Sequence, residues 1–156
     1  MKILSSIVIY NSFGFMKLSL EEIQEIVKET CRKVKECIYV IIFGSRAIGT
    51  DKCYSDLDVA IMFDDQAEDV IKISQDIAFE IEEKTEIKTE VVPLNIADTV
   101  LKYEVYSQGI LVYCRDYERY LDDKLNAIDQ YLDFQEIFQK HYKRVVREIL
   151  NAYSRS

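Results

Sequence analysis

The chain is predicted to adopt an α+β fold, an α/β sandwich in which a small mixed sheet packs on helices. Three observations predict it. Apolar residues recur at helical spacing directly after Ser19. A compact β-branched run from Ile38 to Phe43 follows, and then a second strand-like run over about Leu57 to Phe63. Helical and strand-like segments then alternate up to a long helical tail. The 156 residues suit one domain, and a chain of that size buries roughly 70% of its unfolded surface.

The first helix is predicted over Leu20 to Cys37. Ser19 is its natural N-cap, and Glu22 completes a capping box. Leu20, Ile23, Val27, Thr30, Cys31, Val34 and Ile38 make the buried face, opposite Glu21, Glu25, Lys28, Glu29, Arg32 and Lys35. The run from Ile38 to Phe43 reads as a strand buried on both faces, stopping at Gly44. After a polar stretch from Ser45 to Ser55, a second strand spans about Leu57 to Phe63. A helix over about Gln66 to Glu83 and a strand over Ile87 to Val92 follow, the strand closed by Pro93. Ile96 to Ser107 reads as helical, Gln108-Gly109 as its stop, and Ile110 to Tyr113 as a short edge strand. The tail from about Tyr117 to Tyr153 is helical. It carries one stripe at Leu121, Leu125, Ile128 and Leu132, and an offset one at Phe138, Tyr142, Val145 and Ile149. One long helix, or two bent near Asp133, fits the pattern. The stripes read equally as core or as interface.

Composition narrows the function. The formal net charge is −8, which argues against nonspecific binding to a nucleic-acid backbone. A basic partner or a metal-bridged anionic ligand fits better. Cys31, Cys37, Cys53 and Cys114 include no CxxC pair, and His141 is far from all of them. That spacing is wrong for zinc and reads as buried or half-buried thiols in a reducing cytoplasm. No apolar run reaches the ~18 residues of a membrane span. Lys2 and the run Ile3 to Tyr10 resemble the start of a signal peptide, but no small-residue cleavage site follows. Two readings of the first residues stand: an N-terminal strand, or residues upstream of a true start at Met16.

The chemistry concentrates in Phe43-Gly-Ser-Arg-Ala-Ile-Gly49 and Ser55-Asp-Leu-Asp-Val59. A buried strand ends at Gly44, where the backbone can approach a phosphate closely. Ser45 offers a hydroxyl and an amide at a turn suited to an anion, and Gly49 lets the loop fold back. Asp56 and Asp58 flank Leu57. Residues two apart on a strand share a face, so these carboxylates repel unless a cation lies between them. Hard oxygen ligands favour Mg²⁺ or Mn²⁺. Glu90, on the next strand, is the candidate third carboxylate of a two-metal site, with Lys88 on its face. The alternative for Glu90 is a plain solvent-facing strand residue. Arg46 is placed either to neutralise a triphosphate or to pair with an acidic neighbour. Lys140, Arg144 and Arg147, with Lys143 adjacent, either meet a nucleotide or acidic partner or serve the helix dipole.

The compound pattern, Gly44-Ser45, ten residues, then Asp56-x-Asp58, resembles the signature of the DNA-polymerase-β-like nucleotidyltransferase superfamily. GSRAIGTDKCYSDLDVAI looks like its small minimal nucleotidyltransferase (MNT) branch. The order of elements from Leu20 to Glu90 is also similar to that family. The resemblance implies that the sheet is of the nucleotidyltransferase type. It implies that Gly44 and Ser45 hold the β- and γ-phosphates of ATP, beside Arg46, and that Asp56 and Asp58 bind two Mg²⁺ ions. Glu90 stands where the family more often has Asp, and would help bind one ion and activate the attacking hydroxyl. The implied organisation is an N-terminal extension or strand (1–18), a nucleotidyltransferase domain (19–114) and a C-terminal helical segment packed on it (115–156).

MNT proteins are often paired with a HEPN-domain protein. The resemblance therefore implies an antitoxin that adds AMP to a tyrosine of a partner HEPN toxin, without direct nucleic-acid or membrane binding. Two alternatives stand beside it: a small-molecule nucleotidyltransferase of the antibiotic-modifying kind, and a toxin-binding antitoxin without turnover.

Overall fold

The computed structural model describes residues 17–51 and 55–155. The N-terminal readings up to Met16, and Cys53, fall outside the described residues. Helix α1 runs over Leu20–Arg32, strand β1 over Cys37–Phe43, the single-turn helix α2 over Ser45–Ile48 and strand β2 over Leu57–Phe63. Helix α3 (Val70–Thr85), strand β3 (Thr89–Pro93), helix α4 (Thr99–Gln108), strand β4 (Ile110–Cys114) and helix α5 (Tyr117–Tyr153) follow. The four strands form one mixed sheet in the order β3-β2-β1-β4. The β1/β2 and β1/β4 pairs are antiparallel, and β2/β3 is parallel. Strand β1 is buried along its whole length, and β3 and β4 are the edges.

Alternation along β2 sorts the sheet into two faces. Leu57, Val59, Ile61 and Phe63 pack with Ile23, Val27 and Cys31 of α1 and Ile77 and Ile81 of α3. Ala60 and Met62 pack on the other side with Val105 and Tyr106 of α4 and Tyr120 and Ala127 of α5. Asp56 and Asp58 belong to that second face by the same alternation, at the end of the strand that the two helices leave open.

The capping box forms as expected: Ser19 Oγ accepts from the Glu22 amide, and Glu22 reaches back to the Ser19 amide. Helix α1 is shorter than its sequence pattern, ending at Arg32 rather than Cys37. The segment Arg32 to Glu36 contains no Gly or Pro to mark a stop. Pairing of Cys37 with Phe63 pulls the chain into the sheet, and the bonds Val34 N–H to Cys31 O and Cys37 N–H to Val34 O close the turn. Helix α3 starts later than expected because Asp69 is its N-cap, accepting from the Lys72 amide. The expected helix over Ile96 to Ser107 divides. Leu94–Ile96 is a 3-10 turn, and α4 begins after Asp98, whose carboxylate accepts from the Leu101 amide.

Gly109 does stop α4, but its backbone is ordinary, at φ −76° and ψ 160°. Space is the reason for glycine there, since a Cβ would collide with Ile41 and with the Val105 carbonyl. The tail is one unbroken helix. Only its first part packs on the domain, contrary to the expectation for the whole of 115–156: from Leu132 onward no described residue is buried.

Candidate active site

Strand β1 delivers its last residue, Phe43, opposite Asp58 of β2. Gly44 then turns sharply, at φ 74° and ψ −159°, a conformation that strains residues with a Cβ. The turn also needs glycine for space, because a Cβ at Gly44 would run into the Asp58 carboxylate. Ser45 opens α2, whose amides at Ala47 and Ile48 are taken by the Gly44 carbonyl. Gly49 ends it in the left-handed region, at φ 74° and ψ 18°, and folds the loop back as its sequence position suggested.

Asp56, Asp58 and Glu90 share the open end of one sheet face. The parallel register sets Asp58 directly opposite Glu90. Leu57 is fully buried on the other face, and Thr89, also buried, is opposite it. Lys88 shares the carboxylate face, with Nζ 3.4 Å from Asp56 Oδ2. Burial, and then the charges of Glu90, Asp56 and Glu104, push the Asp58 carboxyl up from its ordinary value, while Arg46 acts in the opposite sense. Negative charge is therefore concentrated around Asp58. Among the described residues no three carboxylate, thiol or imidazole side chains close on one point.

Glu104 is the acidic neighbour that sequence reading missed. It lies on the exposed side of α4, next to Val105, which seats that helix on the sheet. Neither periodicity nor motif marks it. Its proximity to Asp58 depends on how α4 packs.

Arg46 is buried, at 6% exposure, not a surface residue. Its Nε and Nη2 donate to the Ser55 carbonyl at 3.1 and 2.6 Å, and Nη1 lies 3.6 Å from Asp51. The guanidinium thus ties the start of the loop to its end and fixes the entry to β2. Asp51 also accepts from Lys17 at 3.0 Å. Lys140, Arg144 and Arg147 sit far along α5, on its exposed part. Lys140 pairs with Glu136 at 2.7 Å, and Arg144 contacts His141.

This arrangement combines hard oxygen donors, a glycine turn pressed against one of them and a local excess of negative charge. A divalent cation fits it chemically: it would relieve the repulsion around Asp58, and the absent Cβ at Gly44 leaves the approach open. Among the described residues no helix is long and apolar enough to cross a membrane. Cys31, Cys37 and Cys114 are free thiols, the first two buried.

The family model described as Polymerase beta, Nucleotidyltransferase matches residues 24–118, more than half of the chain. No curated protein sequence matches it. Among solved structures, a chain of a toxin–antitoxin complex with AMP-PNP superposes with a TM-score of 0.66 at 22% identity, covering 79% of this chain and 98% of that one. A chain from the Shewanella oneidensis complex of a tri-AMPylated HEPN toxin with MNT antitoxin gives 0.63 at 19% identity, covering 81% and 98%. A chain of an MntA-HepT toxin–antitoxin complex gives 0.62 at 19%, with the same coverage. At these identities the likeness is one of fold.

Proposed function

The chain belongs to the polymerase beta nucleotidyltransferase family, and from that premise we propose that it transfers AMP from ATP to a tyrosine hydroxyl of a partner HEPN toxin, acting as a cytoplasmic antitoxin. The observation that carries the reading is the in-register pair Asp58 and Glu90 beside the Gly44 turn. The toxin–antitoxin complexes with AMP-PNP and with an AMPylated HEPN toxin support the choice of donor and acceptor.

Asp56 and Asp58, with Glu90, would hold two Mg²⁺ ions, which when bound neutralise triphosphate charge and orient an in-line displacement. Gly44 and Ser45 would bring backbone and hydroxyl to the phosphates. The tyrosine oxygen bonds to the α-phosphorus as the bond to the pyrophosphate oxygen breaks. The hydroxyl proton passes to the Glu90 carboxylate, and pyrophosphate leaves. Arg46 holds the Ser55 carbonyl at the entry to β2, so the phosphate turn and the carboxylates stay aligned.

The test is intact-mass spectrometry after incubation with ATP and Mg²⁺, alone and with the product of the neighbouring gene. The expected result is a gain of one or more AMP units on the partner, lost in Asp56→Asn. Absence of any gain on the partner, with nucleotide still bound, would sink the protein-acceptor reading.

A further inference from the structure

Lys88 stands just before β3, on the side of the sheet that carries the carboxylates. The backbone around it is pinned. The Leu57 amide donates to the Lys88 carbonyl at 2.8 Å. The Thr89 amide donates to Glu82 Oε1 at 2.7 Å, and Thr89 Oγ1 donates to the Ile87 carbonyl at 2.9 Å. Asp58 is opposite Glu90 in the parallel register, and the same register carried back along both chains sets Lys88 beside Asp56. The side chain itself is free to turn. It is 79% exposed, against 46% for Asp56, and its ion pair among the described residues is the 3.4 Å contact with that carboxylate.

An ion pair this open to solvent adds little to folding. Its place in the site matters more. Asp56, Glu90 and Glu104 all bring negative charge to Asp58, and Lys88 is the cation paired with a carboxylate of this set. Arg46, the other cation acting on Asp58, is buried and held by the Ser55 carbonyl and Asp51. Gly44 and Ser45 offer an anion a backbone and a hydroxyl, but no charge.

The Lys88 ammonium and a divalent cation repel each other when both approach the same carboxylate. The lysine stem is flexible, so Lys88 gives way at little cost. Turned off Asp56, its ammonium has three donors for the oxygens of an anion bound among the carboxylates.

We propose that Lys88 competes with the divalent cation for Asp56 and, once displaced, holds the phosphoryl group being transferred. The inference rests on reading Asp56 as a metal ligand of a nucleotidyltransferase site. It gives Lys88 two effects of opposite sign: it weakens metal binding alone and strengthens nucleotide binding in the presence of metal. A residue that only supported the strand would not separate the two.

Calorimetric titrations of the full-length protein test this, with Mn²⁺ alone and then with a non-hydrolysable ATP analogue at saturating Mn²⁺. Lys88→Gln is expected to bind Mn²⁺ about threefold tighter, the scale of an exposed ion pair, with the gain shrinking as salt rises. The same variant should bind the analogue about tenfold more weakly, as for a lost charged hydrogen bond. Lys88→Arg keeps the charge and should restore both affinities. Asp56→Asn should lose Mn²⁺ binding. If Asp56→Asn does so but Lys88→Gln fails to tighten Mn²⁺ or to weaken the analogue, the role of Lys88 is overturned and the metal reading stands. Mn²⁺ binding indifferent to Asp56→Asn overturns both.

Discussion

Asp58 and Glu90 stand opposite each other across the parallel pair of β2 and β3, two carboxylates on one face with Asp56 beside them. Burial and these charges raise the folded-state affinity of Asp58 for its proton. A carboxyl shifted this way contributes stability below its unfolded value, and that contribution is lost as pH rises through the folded value. At neutral pH the charged Asp58 is therefore a cost. Asp58→Asn should raise metal-free stability by roughly 0.5–1 kcal/mol, the scale of a like-charge pair across strands, while abolishing transfer. Thermal melts and AMP transfer check both. A variant that melts lower would show that Asp58 serves the fold rather than strains it.

Glu90 should separate turnover from binding. Glu90→Gln keeps size and polarity but cannot take the proton of the acceptor hydroxyl. Turnover is expected to fall about 10²- to 10⁴-fold, the range of general base catalysis, with nucleotide affinity changed far less. Single-turnover rates and equilibrium binding measure the two. An unchanged rate would move the proton to another group, Glu104 being the further carboxylate whose charge acts on Asp58.

Two glycines share a φ of 74° but differ in ψ, 18° at Gly49 and −159° at Gly44. Gly49→Ala meets open space and costs only the left-handed backbone, about 1–2 kcal/mol. Gly44→Ala is strained more, since its ψ of −159° lies in a region essentially restricted to glycine, and it also drives a methyl group into the Asp58 carboxylate. Melts should fall for both, but transfer should fail only for Gly44→Ala. Equal activity in the two variants would show that the turn is not pressed on the carboxylate in solution.

The local parts of this site were readable from the chain because they are local. The capping box, the glycine turn and the alternation that turns Asp56 and Asp58 away from buried Leu57 all act within a few residues. The in-register meeting of Asp58 and Glu90 required only that β2 and β3 be parallel neighbours, which the helical connection implies. The end of α1 was not readable, because the pull on Cys37 comes from Phe63 in another strand. Arg46 looked equally like a phosphate ligand or a surface pair. Its burial on the Ser55 carbonyl depends on how the loop closes. The two stripes of the tail share one periodicity whether buried or exposed, so their exposure emerged only once the packing of α5 on the domain was seen to stop at Tyr131.

The junction between α5 and the sheet rests on a buried polar chain, and its loss should be measurable. Tyr39, fully buried in β1, donates to Asp123 at 2.7 Å and shares a hydrogen bond with the Tyr106 hydroxyl. Arg119 holds Asp123 from the other side and reaches Asp65. Tyr39→Phe removes the central hydroxyl and should cost about 1.5–3 kcal/mol, as for a bond to a charged group. Asp65→Asn, at the exposed end, should change stability far less, because solvent screens that pair. Burial pushes the Tyr39 phenol far up, and Tyr106 up to about 12. Their unfolded counterparts lose protons first, near 10, so the contribution is complete below that value and declines above it. Denaturant titrations from neutral to strongly alkaline pH should show stability falling from about 10 toward 12, less steeply in Tyr39→Phe. An equal slope in the two proteins would locate the alkaline sensitivity elsewhere.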